Sequence, residues 1–270
     1  MVDSPAGSCT TLHELAPLRS STLRQATSGP AHFCFAAFRY AIVFGLRIKP
    51  IPTTFFIMTL RNFEITVEST SPLLCSNVQY SDPLGEYCKQ KQYFTDKKGK
   101  AKTDGVHRAV RTLDWLFSGY WETEGVVEID EANNLVGFEG FANPYMPGAN
   151  FQRCLRNAAT KWKLGKDVLR SVVVTNNPLL NYDGPKNAVD MFNHRIPKLQ
   201  LAAFTGRGVW VNRLHLPEWS ATFELTLDDE IMGIDQLRRI ANMAGKAEGL
   251  GTWRPRYGRF CVASIEEVAE

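Results

Sequence analysis

The alternation across residues 221–227 constrains this chain most. Phe223, Leu225 and Leu227 fall opposite Thr222, Glu224 and Thr226, the period of two that marks a strand with one buried face. A helix over 234–245 follows, with Leu237, Ile240, Ala241 and Ala244 on one side. A glycine-rich loop, Gly249–Gly258, then leads into a closing strand, Arg259–Ser264. Just upstream, Leu199–Phe204 and Gly208–Asn212 flank Thr205-Gly206-Arg207 as a hairpin. Strand, strand, helix, loop and strand with one-faced alternation predict an antiparallel α+β sandwich rather than a parallel βαβ series.

Earlier segments fit that frame. From Met58 onward, Phe63, Ile65 and Val67 alternate with Asn62, Glu64, Thr66 and Glu68 as a first strand. Asp82-Pro83 reads as a helix start and Thr103-Asp104 as the cap of a second helix carrying Val106, Val110, Leu113, Trp115 and Phe117. The lysine-rich stretch Lys89–Lys102 between them reads as a loop, with Lys97, Lys98, Lys100 and Lys102 as an electrostatic flap or a solvated run. Strands at Gly125–Asp130 and Leu135–Phe138 join through Glu131-Ala132-Asn133-Asn134. Pro147-Gly148 opens a helix with Phe151, Cys154, Leu155, Ala158, Ala159 and Trp162 at helical spacing. Val168–Thr175 reads as a buried strand, and Asn176–Pro197 as a loop turning at Asn181-Tyr182-Asp183-Gly184-Pro185.

Residues 1–57 differ in kind. Their first 30 positions are rich in Ser, Thr, Ala and Pro, and the apolar run Phe33–Leu46 is too short for a spanning helix of about 20 residues. They are expected to be either a leader outside the native protein, with Met58 as the natural start, or a mobile N-terminal arm. Residues 58–270 then form a single domain with inserted loops at about 89–103 and 176–198. The leader holds five of the 31 basic and two of the 28 acidic residues, so the body carries 26 of each and is neutral. Any polyanion must therefore be held by local clusters, not by a global field. Six cysteines without a C-x-x-C pair exclude a zinc knuckle and a disulfide scaffold, and suit a reducing, cytoplasmic setting.

Two segments carry chemistry. In Gly249-Leu250-Gly251-Thr252-Trp253-Arg254-Pro255-Arg256-Tyr257-Gly258-Arg259, the glycines permit positive φ and close approach of a ligand. Arg254, Arg256 and Arg259 offer planar donor forks for phosphate, and Trp253 or Tyr257 can stack a base. The alternative is a connector whose aromatics close the core and whose arginines are solvated. The order helix-then-strand excludes a dinucleotide fingerprint. In the second segment, Pro147-Gly148 precedes a helix start whose free amides can hold an anion. Arg153, Arg156 and Lys161 then give that helix a basic face, with Lys163, Lys166 and Arg170 beyond it. Here the alternative is an amphipathic helix whose outer charges serve solvation.

Together the two segments resemble the RAMP superfamily of CRISPR-associated RNA-binding proteins. Pro147-Gly148-Ala149-Asn150-Phe151-Gln152-Arg153-Cys154-Leu155-Arg156 is similar to that superfamily's Pro-Gly helix-opening segment. Ala149-Asn150 replaces its serine pair, and Arg153 stands where it has glycine. Gly249–Phe260 is similar to its glycine-rich loop. Asp82-Pro83-Leu84, Lys102-Thr103-Asp104, Tyr182-Asp183-Gly184-Pro185, Pro217-Glu218-Trp219 and Gly251–Phe260 also resemble a family of bacteriophage and prophage proteins. The resemblance implies a modified ferredoxin-like (RRM-type, RAMP-like) antiparallel sheet with helices and insertions. It implies binding of single-stranded RNA or another nucleic acid by Arg153, Arg156, Lys161, Trp253, Arg254, Arg256, Tyr257 and Arg259, with Pro147, Gly148, Gly249, Gly251 and Gly258 as backbone loop positions. It further implies a homo-oligomer or other subunits of a ribonucleoprotein assembly.

No cofactor, metal or membrane partner is expected. Metal-free RNA cleavage needs a base such as His107, His194 or His215 beside a cation. Metal-dependent cleavage could draw on Asp82, Asp183 and Asp190. No Ser-His-Asp order, H-E-x-x-H or Walker loop occurs, so no catalytic residue is assigned. The remaining alternatives are a phage structural or assembly protein and a RAMP-like endoribonuclease.

Overall fold

Alternation builds the centre of the molecule. In a computed structural model, which describes residues 60–78, 82–96, 98–99, 103–130, 135–194, 198–204 and 207–268, with backbone alone at 198–204 and 207–211, strand β1 (Leu60–Ser69) buries Phe63, Ile65 and Val67. All described residues belong to one compact unit, Ile57–Glu270. Residues 1–57, and Lys97, Lys100 and Lys102 of the basic run, lie outside the described ones.

Strand β1 is paired on both sides. On one side lies β11 (Ser220–Asp228), which buries Ala221, Phe223, Leu225 and Leu227; on the other lies β12 (Phe260–Val268). The short β7 (Val172–Val174) extends the sheet beyond β11, giving the order β12-β1-β11-β7, antiparallel throughout. Two helices supply the buried layer. Helix α3 (Gly148–Ala159) stacks Phe151 on Phe223 at 4.4 Å between ring centroids, an arrangement worth about 1 kcal/mol beyond the area it buries. Helix α6 (Ile234–Met243) buries Leu237, Ile240 and Ala241 and continues through one π-helical turn, Ala244–Glu248.

The chain between β1 and α3 forms a large excursion packed onto the same core. It holds β2 (Leu73–Leu74), α1 (Glu86–Thr95), α2 (Asp104–Leu116), β3 (Tyr120–Thr123), β4 (Val126–Ile129), β5 (Leu135–Glu139) and β6 (Ala142–Tyr145). Strand β3 pairs with β6, β4 with β5, and β2 with β10 (His215–Leu216), all antiparallel. Helix α2 starts where Thr103 Oγ1 accepts the Val106 amide, a cap worth about 1 kcal/mol. Its buried Asp114 takes Lys91 Nζ at 2.9 Å and the Tyr87 hydroxyl, which ties α1 to α2. Trp115 packs among Trp121, Phe138 and Phe192. The remaining hairpin joins β8 (Lys198–Phe204) to β9 (Arg207–Arg213).

Five expectations are corrected. Lys89–Thr95 is helical, not loop, because α1 runs from Glu86 and anchors on Tyr87 and Phe94; Asp82 instead closes a turn by accepting the Leu84 amide. Only the second half of Val168–Thr175 is strand. Val168 belongs to helix α4 (Gly165–Ser171), where the Ser171 hydroxyl bonds back to Asp167 O. The 176–197 segment contains helix α5 (Ala188–Asn193), capped by Asn187 Oδ1 accepting the Asp190 amide. Trp162 is 41% exposed in a 3₁₀ turn after α3 rather than on its buried face. The fold class is α+β with antiparallel sheets. Among the described residues no helix is long and apolar enough to cross a membrane.

Candidate nucleic-acid interface

The glycine-rich loop is held by backbone bonds on both flanks. Gly249 N donates to Ala244 O, Leu250 N to Gly258 O, Gly258 N to Pro72 O and Thr252 N to Leu74 O, at 2.8–2.9 Å. Gly251 sits at φ +72°, and a Cβ there would lie 2.3 Å from Leu74 O, so this glycine serves the loop's approach to β2. Trp253 is itself left-handed at φ +57°, with its side chain 39% exposed; the following Arg254–Pro255 peptide is cis.

Helix α3 abuts this loop through Cys154. Its buried thiol donates to Gly249 O at 3.3 Å and faces Ala244 O at 3.6 Å. Burial pushes the thiol up to about 12, with Arg254 opposing and Glu248 reinforcing the shift. Cys75, also buried, is raised to about 12 by the same cause. Both thiols stay neutral in the fold, so the stability they lend is complete below pH 9 and is lost as pH rises toward 12. The unfolding free energy is therefore expected to fall above pH 9, by up to about 1.4 kcal/mol per pH unit for each thiol, and the melting temperature with it. In Cys154→Ala the alkaline slope of thermal melts should be shallower; an unchanged slope would show that Cys154 does not contribute.

Next to Cys154, Arg153 emerges on the exposed side of α3 and lines one cleft with Arg254, although 101 positions separate them. That cleft is about 220 Å³ and is completed by Ser76, Tyr120, Asn150 and Thr252. The Tyr120 hydroxyl donates to Ser76 O at 3.3 Å, and burial raises its phenol above the ordinary value, so it remains a protonated donor. A second cleft of about 470 Å³ shares Gly251, Thr252 and Arg254, and reaches Trp253 and Glu248. Among the described residues, neither Arg153 nor Arg254 forms a salt bridge.

The other candidates scatter. Arg156 is exposed one turn beyond Arg153, and Lys161 lies over the Trp162 ring at 5.9 Å. Arg256 is exposed over the Tyr257 ring at 5.9 Å, and exposed Arg259 opens β12; neither lines the two clefts. Tyr257 is corrected as a stacking group. It is 5% exposed, with its ring against Trp253 and His215, which leaves no open face for a base. Gly148 is corrected as an anion cradle, since its amide donates to Asn177 Oδ1 at 2.8 Å and a Cβ would lie 2.3 Å from Asn176 O. Its smallness serves packing of the chain against itself.

The open face of the sheet does not offer a stacking platform. On that face Glu64 lies directly opposite Glu224 on one neighbouring strand and Glu266 on the other, with Thr66, Thr222, Thr226 and Ser264 beside them. The described side chains there include no aromatic ring to stack a base, and the carboxylates repel phosphate. The cationic cleft therefore stands apart from the sheet surface.

Ser76 and Tyr120 complete the cleft without any signal in the sequence, because both arrive by long-range packing of the excursion. The described histidines lie elsewhere. His107 is exposed on α2, His194 Nδ1 lies 2.7 Å from Asp190 O, and His215 packs edge-on to Tyr257. None of them lines either cleft. Asp190 bonds Asn187 Nδ2 within its helix cap.

No family model matches the chain, and no curated protein does. Among solved structures, it is similar to a chain in the cryo-EM structure of the Type III-B Cmr-beta bound to cognate target RNA. The identity is 13% and the TM-score 0.38, over 77% of this chain and 61% of that one. The chain thus spans about three fifths of that neighbour's length.

Proposed function

We propose that this protein binds single-stranded RNA as a RAMP-like subunit of a ribonucleoprotein assembly, on a modified ferredoxin-like core. Numbered 1 to 4 in chain order, β1, β7, β11 and β12 lie across the sheet as 4-1-3-2, with α3 between the first two and α6 between the last two, and this supports the topology. The observation that carries the function is the convergence of Arg153 and Arg254, free of ion pairs among the described residues, on one cleft beside an exposed Trp253. Guanidinium forks hold phosphates and an exposed indole stacks any base, which together give strand binding with little sequence preference. Among the described residues, the endoribonuclease reading lacks a histidine lining this cleft.

Fluorescence anisotropy of a labelled 12-nucleotide RNA between about 50 and 200 mM salt tests the reading. The logarithm of affinity should fall linearly with that of salt, with a slope near −0.7 for each phosphate contact. A DNA strand of the same sequence tests whether the 2′-hydroxyl matters. No binding at the lowest salt, or binding indifferent to salt, would overturn the reading in favour of a structural or assembly protein.

A further inference from the structure

We propose that the smaller cleft takes a terminal phosphomonoester of the strand, and that the terminal base lies on Trp253 in the adjoining cleft. This rests on the RNA-binding reading and specifies which part of the strand the site receives.

Size and enclosure come first. The smaller cleft is walled by four separate stretches of chain: Ser76–Val78, Tyr120, α3 and the glycine-rich loop. The larger one is lined only by residues 247–255 and holds the exposed indole. Gly251, Thr252 and Arg254 border both, so a group seated in the first continues directly into the second. At about 220 Å³ against about 470 Å³, the first suits a phosphoryl group and the second a nucleoside.

The donor inventory points the same way. Two guanidinium forks and the hydroxyls of Ser76 and Thr252 border the smaller cleft as donors, while the Tyr120 phenol, donating to Ser76 O, and the Asn150 amide, donating to Met146 Sδ, complete its wall. Among the described residues no carboxylate lines it, whereas Glu248 lines the larger one. A phosphomonoester carries about −1.5 to −2 charges at pH 7 and three acceptor oxygens. A diester within a strand offers one charge and two free oxygens, fewer than this set can satisfy. The glutamate in the larger cleft faces the nucleoside, where a base can donate N–H groups to it, and not the phosphate.

The test uses the whole protein and three 12-nucleotide RNAs of one sequence, bearing a 5′-phosphate, a 3′-phosphate or hydroxyls at both ends. One phosphorylated RNA should bind at least tenfold more tightly than the hydroxyl-ended strand. That advantage should shrink below about pH 6, where the second phosphate proton returns. Inorganic phosphate in excess should erase the advantage and leave the residual binding in place. In Arg254→Lys, which keeps the charge but loses the planar fork, the advantage should narrow while hydroxyl-ended RNA still binds. Equal binding of all three RNAs by the wild-type protein would overturn the end-specific site and leave RNA binding standing. No binding of any of them would remove both.

Discussion

Replacing Arg153 and Arg254 together by alanine is expected to weaken RNA binding by about a hundredfold. Hydrogen bonds to charged groups contribute roughly 1.5–3 kcal/mol each, and 1.4 kcal/mol is a factor of ten. Both side chains are exposed and free of ion pairs among the described residues, so the double variant should melt within a degree or two of the parent. The comparison pair is Arg156→Ala with Arg259→Ala, which removes the same charge from outside the clefts and should cost only a few-fold. Equal losses from the two pairs would mean that charge acts without geometry, and the cleft would lose its meaning.

The second large effect concerns the loop's backbone. In Gly258→Ala, a Cβ would lie 1.9 Å from Leu250 O at φ +75°, where an L side chain is already strained. Left-handed backbone costs about 1–2 kcal/mol, and relieving the clash must also disturb the paired bonds from Leu250 N and Gly258 N. A loss of about 3 kcal/mol, or roughly 10 °C in melting temperature for a domain of this size, is expected. Gly137→Ala is the control, since its Cβ would meet nothing within 4 Å. Equal melting temperatures for the two variants would show that the loop tolerates rearrangement.

Much of the frame is legible in the residues because it repeats. The alternations of β1 and β11, the one-sided faces of α3 and α6, and the Thr103 cap each repeat a local rule several times over. Helix α1 escapes because only Tyr87 and Phe94 of its ten residues are buried, too few to set a period. Helix α4 escapes because Val168 and Leu169 lie only two residues before the valines of β7, and tertiary packing divides that short stretch between helix and strand. The arginines of the cleft are legible only by type, because Arg256 and Arg259 of the same segment line neither cleft. Their Ser76 and Tyr120 neighbours belong to an excursion whose docking no local pattern encodes. Tyr257 shows the converse, because an aromatic in a binding-type motif spends itself on packing.

The row Glu266, Glu64 and Glu224, set side by side across three strands, has a consequence for assembly. Neighbouring like charges weaken the sheet slightly, and they also make the molecule two-sided toward any polyanion. On the proposed RNA-binding reading, a ribose-phosphate chain approaching the strands meets a repulsive floor, and binding is confined to the glycine-rich edge. A second copy's β-sheet laid over the strand would add its own carboxylate row to that repulsion.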